Sequence, residues 1–180
     1  MGELVNRGES AIVPEGFYKQ VSSILNAARD KAYTAVNFAM VEAYWEIGKS
    51  IVDEQGGEER AKYGEALLKA LAIKLTKDFG KGFEARELRK MRQFHLAFPI
   101  RDSLRPELSW THYRRLIRIP DPETRTWYMN ECADSRWSTR QLERQINTMF
   151  RERLLASKDK EVVTQEIQKS TPAHRPEDII

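Results

Sequence analysis

The stretch Trp137–Ile146, WSTRQLERQI, carries the reading on which the rest of the fold depends. Ser138 and Gln141 stand three apart, so the hydroxyl can accept from the Gln141 amide while the Gln141 side chain reaches back to the Ser138 amide, the reciprocal capping box. Trp137 before the cap and Leu142 after it can close a hydrophobic staple. Beyond the cap, Leu142, Ile146, Met149, Phe150 and Leu154 recur at helical spacing as an inner face. Arg140, Arg144, Asn147 and Arg151 recur at i, i+4, i+7 and i+11 on the opposite side. The spacing predicts one continuous helix with a cationic stripe along its outer face.

The same grammar extends upstream. Asp121 and Pro122 pair as N-cap and first helical residue of a fifth helix that carries Trp127, Tyr128 and Cys132. Ser109 caps a short helix, WTHYRRLIRI, that Pro120 terminates. In DFGKGF, two glycines around Lys81 predict a tight reversal between a second helix, about Gly64 to Lys77, and a third, about Glu84 to Phe98. The second helix presents Leu67, Leu68, Leu71 and Leu75 to a core. The third is expected to bury Leu88, Met91, His95 and Phe98 and to expose Arg86, Arg89, Lys90 and Gln93. Glu84 stands where a small capping residue would serve that helix better. The first helix runs from Phe17 to about Glu54, with Val36, Met40, Tyr44, Ile47 and Ile51 as its apolar stripe.

No strand-like alternation and no internal repeat appear, so the expected class is all-α. The expected arrangement is about six helices, the long first one packed on two helix-turn-helix-like units, around Gly80 and from Thr124 to Met149. Residues 1–16 read as a flexible N-terminal tail and 17–157 as the helical domain. Residues 158–180, which end with two prolines, read as a partly helical linker.

An apolar fraction of 41% in 180 residues supports one domain with a real core. The net charge of +3 conceals an uneven distribution. Residues 81–118 hold 10 basic and 4 acidic side chains, against 10 and 12 in residues 1–80 and 10 and 11 in residues 119–180. A basic block of this kind fits a polyanion partner where it forms one face. The single cysteine, Cys132, excludes an internal disulfide framework and fits the cytoplasm. The N-terminal segment has no signal-peptide core, no window reads as a membrane span, and Asn6 stands where a myristoylation signal needs Ser or Thr.

Reactive constellations are absent from the pattern. His95, His112 and His174 lie far apart, GKGF lacks the rest of a phosphate loop, and the Glu-x-Lys element of a metal-dependent nuclease is missing. His95, on an apolar helix face, reads as a hydrogen-bonded structural histidine. Trp45, Trp110, Trp127 and Trp137, spaced among Leu, Tyr and Met, read as core. No catalytic residue, metal ligand or cofactor site is expected. The informative residues are the cationic faces: Arg86, Arg89, Lys90 and Gln93; Arg114, Arg115 and Arg118; and Arg140, Arg144, Asn147 and Arg151. Guanidinium groups along such faces can follow phosphates, with Asn147 suited to a base edge.

Five ordered blocks, NFAMVEAYWEIGKSI, YGEALLKALAIKL, GFEARELRKMRQFHLAFP, LSWTHYRRLIRI and RWSTRQLERQI, resemble the N-terminal domain of YhcG-type proteins, a bacterial domain of unknown function. The resemblance spans about residues 17–155. It implies a C-terminal nuclease domain of the PD-(D/E)XK class as a partner in the same protein, with RPEDII resembling the junction to it. The resulting expectation is a non-catalytic DNA-binding module of a larger nuclease. The rival is an oligomerisation or protein-docking module, in which the long helix pairs with a copy of itself as a homodimer and the arginines are only solvated.

Overall fold

The computed structural model describes residues 13–55, 61–157 and 165. Among these, regular structure is helical throughout: α1 (Glu15–Gln55), α2 (Ala61–Phe79), α3 (Ala85–Ala97), a 3-10 turn at Arg101–Ser103, α4 (Trp110–Leu116), α5 (Pro122–Asp134), α6 (Thr139–Asn147) and α7 (Phe150–Ala156). The all-α class therefore holds, with seven α-helices in place of about six. The expected linker over 158–180 lies, except for Gln165, outside the described residues.

The chain divides into two compact units, Met1–Tyr33 and Thr34–Ile180, and α1 contributes residues to each. In the first, the helix begins at Glu15, two residues earlier than expected. Glu15 pairs with Lys19 at 3.4 Å, one helical turn along. Phe17, Tyr18, Val21, Ile24 and Leu25 are all exposed there.

The second unit holds the core. Val41 and Trp45 of α1 join Phe94, Tyr113, Leu116, Tyr128, Cys132, Trp137, Leu142 and Phe150 in its larger cluster. Ile51, Leu68, Ala72, Leu88 and Met91 form a smaller one between α1, α2 and α3. The expected α1 stripe is displaced. Val36 and Met40 are exposed, Tyr44 and Ile47 are half-buried, and the covered residues are Val41, Trp45, Gly48, Ile51 and Gln55. Two apolar ridges lie side by side on this helix, and α3 takes the one containing Gly48. A methyl group added there would lie 2.1 Å from the Met91 carbonyl oxygen, so glycine permits the close approach of the two backbones. The Trp45 indole N–H donates to the Phe98 carbonyl at 2.6 Å, satisfying a group at the end of α3. In α3 itself Phe94 holds the core position assigned to His95.

The turns follow the local sequence. Gly80 and Gly82 adopt φ of 83° and 108° in the reversal between α2 and α3. Glu84, as expected, gives α3 no side-chain cap. Asp121 accepts from the Thr124 amide at 2.7 Å and Pro122 opens α5. That helix ends in a Schellman arrangement, with the amide of Trp137 on the Cys132 carbonyl and that of Arg136 on the Ala133 carbonyl. Its left-handed residue is Arg136, φ 49°. At α6 both halves of the capping box form: the Ser138 amide donates to Gln141 Oε1 at 2.6 Å and the Gln141 amide to Ser138 Oγ at 3.1 Å.

The continuous helix expected after that cap does not form. α6 stops at Asn147, Met149 turns left-handed with φ 50°, and α7 starts afresh at Phe150. The buried Tyr128 hydroxyl accounts for the break. It donates to the Gln145 carbonyl at 3.2 Å and accepts from the Arg151 amide at 3.2 Å, satisfying one orphan group of each helix end. Met149 is thereby turned out to solvent at 63% exposure instead of lining the inner face. Tyr128→Phe leaves the Arg151 amide unpaired and the Gln145 carbonyl with only the Thr148 hydroxyl at 3.4 Å, and should cost about 1–3 kcal/mol. A fall in thermal midpoint of a few degrees, near 2–4 °C per kcal/mol for a chain of this size, is the expected calorimetric result.

Candidate functional site

The cationic residues do not behave as three equivalent faces. On α3, Arg89 forms a bidentate pair with Glu65 of α2, and this bond is the main reason the Glu65 carboxyl sits below its ordinary pKa. Lys90 donates to Glu87 at 2.6 Å, and the Gln93 side chain donates to the Ile117 carbonyl at 3.2 Å, tying α3 to the end of α4. On α4, Arg114 approaches Glu87 at 3.9 Å, and Arg115 bonds Glu143 of α6 at 3.1 Å and the Thr111 carbonyl at 3.3 Å. Arg151 belongs to α7, where it pairs with Glu123 at 2.7 Å and Thr124 at 2.8 Å, both on α5.

Arg151 therefore leaves the stripe. The kink at Met149 ends the register that would have aligned it with Arg140, Arg144 and Asn147. Lys90, Arg114 and Arg115 are half-buried and bonded within the protein, while Arg89 and Gln93 stay exposed with their side chains bonded to Glu65 and the Ile117 carbonyl. Arg86, Arg118, Arg140, Arg144 and Asn147 are exposed, and among the described residues none of these four arginines makes an ion pair.

The internal bonds nevertheless order the elements. Gln93 and Glu87 join α3 to α4, and Glu143 joins α4 to α6, so α4 lies between the other two. Arg118 directly follows the Ile117 carbonyl that Gln93 holds, placing it at the seam of α3 and α4. Arg140 is three residues before Glu143, on the flank of α6 that Arg115 reaches, and Arg144 stands one turn beyond Arg140. Arg92 of α3 is also exposed without an ion pair among the described residues. The sequence pattern passed it over because it lies off the i, i+3, i+7 row of Arg86, Arg89 and Gln93. Glu87 and Glu143 anchor cations from neighbouring helices; Glu143 stands among arginines in the sequence, but which cation each carboxylate takes was not legible, since these partners are 27 and 28 residues away.

The remaining candidates are structural. Trp45 and Trp137 are buried, and Trp110 and Trp127 are half-buried against the larger cluster. His95 is half-buried. Its ring meets Trp45 edge-on at 4.6 Å and its Nδ1 has no hydrogen-bond partner among the described residues, so it packs as an aromatic instead of bridging polar groups. His112 takes the bonded role instead. Its Nδ1 accepts from the Ser109 amide at 3.1 Å, so the proton sits on Nε2, which donates to the Trp137 carbonyl at 3.0 Å. This one imidazole links the start of α4 to the residue before the α6 cap.

Cys132 is fully buried, and burial pushes its thiol well above the ordinary range. It should stay unreactive toward an aromatic disulfide reagent in the native protein and titrate as one thiol on denaturation; fast native labelling would contradict the packing. Among the described residues no three His, Cys, Asp or Glu side chains gather into a metal-ligating group, and no helix is long and apolar enough to cross a membrane.

Residues 20–153 match the DUF1016 N-terminal domain. A protein of Escherichia coli K12 named "Putative nuclease YhcG" is 35% identical over 176 residues, covering 79% of this chain and 47% of that relative. The chain thus spans about half the length of the curated relative it matches. No solved structure matches the chain at a significant level. The matched region runs from within α1 to within α7 and reaches every element described above. The chain belongs to the DUF1016 N-terminal domain family.

Proposed function

We propose that this chain is a non-catalytic DNA-binding module of a larger nuclease of the PD-(D/E)XK type. It holds the phosphate backbone through the surface made by α3, α4 and α6. The observation that carries the reading is the set of exposed guanidinium groups that make no ion pair among the described residues, Arg86 on α3, Arg118 in the turn after α4, and Arg140 and Arg144 on α6, three helices that hydrogen bonds set side by side. Arg89, Lys90, Arg114 and Arg115 lie among them with their charges partly met by carboxylates, so they strengthen the local potential more than they contact phosphates. Asn147, exposed one turn beyond Arg144, is the side chain suited to a base edge.

The relative that shares this domain carries the name "Putative nuclease YhcG", which supports placing the module beside a catalytic domain. The polarity of these surface groups also favours the reading over a docking surface for an apolar partner. Four phosphate contacts predict that log affinity for duplex DNA falls with log salt at a slope of about −3.6, at 0.9 per contact. Fluorescence anisotropy with a labelled duplex across a salt series measures it. Affinity that is indifferent to salt, or no binding at low salt, would remove the proposal.

A further inference from the structure

The first unit presents an apolar helix face to which the described part of that unit supplies no cover. Phe17, Tyr18, Ile24 and Leu25 are 56–63% exposed, and Val21 is 37% exposed. Tyr18, Val21, Leu25 and Ala28 are spaced by three, four and three residues, the alternation that keeps a seam on one side of a helix when it packs along another helix. We infer that residues 15–33 of α1 pair with the same segment of a second copy of this chain, antiparallel, about a two-fold axis beside Ile24.

The occupant follows from the self-complementarity of the segment. Laid antiparallel in the register that sets each seam residue against the other kind, Tyr18 meets Ala28 of the partner, large against small, and Val21 meets Leu25. Every such pair occurs twice, as an isologous interface requires. The same register brings Ile24 onto its own symmetry mate at one edge of the seam. At the other edge Glu15 falls opposite Arg29 of the partner, so opposite charges meet at both ends. A parallel pairing would instead stack Tyr18 on Tyr18 and Ala28 on Ala28, large on large and small on small.

The size is that of a small, weak interface. Aromatic side chains cover roughly 150–250 Å² each; at the exposure seen here, the five large residues and the alanines leave about 400–500 Å² per copy. The pair then offers about 800–1,000 Å², at the lower edge of the size of specific interfaces. This assembly is independent of nucleic acid and stands whether or not the cationic surface binds DNA.

Sedimentation equilibrium of the 180-residue chain tests it. At about 100 µM, a pairing with Kd near 10 µM or below is populated, and the expected mass is twice the 21.0 kDa of one chain. Leu25→Asp should return the protein to one chain mass while the thermal transition of the second unit stays in place. Orientation is read with a short thiol-to-thiol crosslinker. Ile24→Cys should link to itself, whereas Tyr18→Cys should not, because its copies stand about 15 Å apart along the axis, ten residues at 1.5 Å each. A strict monomer at that concentration, a dimer unchanged by Leu25→Asp, or equal self-linking at both cysteines would each overturn the proposal.

Discussion

Replacing Arg118, Arg140 and Arg144 together by alanine should weaken duplex binding by about 2.7 log units at 0.1 M salt and flatten the salt slope from about −3.6 to about −0.9. Each phosphate contact contributes about 0.9 to the slope, so over the decade from 1 M to 0.1 M three contacts amount to that difference. The three side chains are exposed and make no ion pair among the described residues, so their removal should leave the fold intact. Arg151→Ala is the informative control. Its guanidinium is committed to Glu123 and Thr124, so the change should lower stability slightly and leave the salt slope unchanged. A triple variant that binds like the parent would end the α3–α4–α6 reading. A steep loss from Arg151→Ala would mean that α7 and α5 carry the contact instead.

Gly48→Ala should destabilise the second unit by about 2 kcal/mol, although alanine is the better helix former by about 1 kcal/mol. The added methyl group would lie 2.1 Å from the Met91 carbonyl oxygen and 2.7 Å from its carbon, and these are backbone atoms that cannot rotate aside. Overpacking of this kind usually costs about 1–3 kcal/mol, and here α1 must move off α3 along a line that also includes Trp45 and Ile51. The thermal midpoint should fall by about 4–8 °C. An unchanged or raised midpoint would show that the two helices do not approach this closely.

Local devices were legible because their physics is local. The caps at Ser138, Ser109 and Asp121 and the glycine reversal at Gly80 and Gly82 depend on groups within a few residues of one another, and the structure reproduces them. The break at Met149 was hidden for the opposite reason. Nothing in MFRERLL opposes a helix, and the hydroxyl that divides it belongs to Tyr128, 17 residues before Gln145 and 23 before Arg151. The candidate interface was legible to a similar extent. The residue types and their spacing named the cations, but which of them remain available depended on carboxylates supplied by other helices.

Residue order alone was enough to give this protein helices, capped starts at Ser109, Asp121 and Ser138, the glycine turn at Gly80 and Gly82, and a surplus of arginine in its middle third. Those properties arise from hydrogen bonds and periodicities that span a turn or two of chain. Packing was needed to choose which of two apolar ridges α1 would bury, to divide the last helix, and to separate arginines held by Glu65, Glu143 and Glu123 from those left facing water. A helix can offer several faces at similar local free energy, and only the shape and charge of what lies against it selects among them.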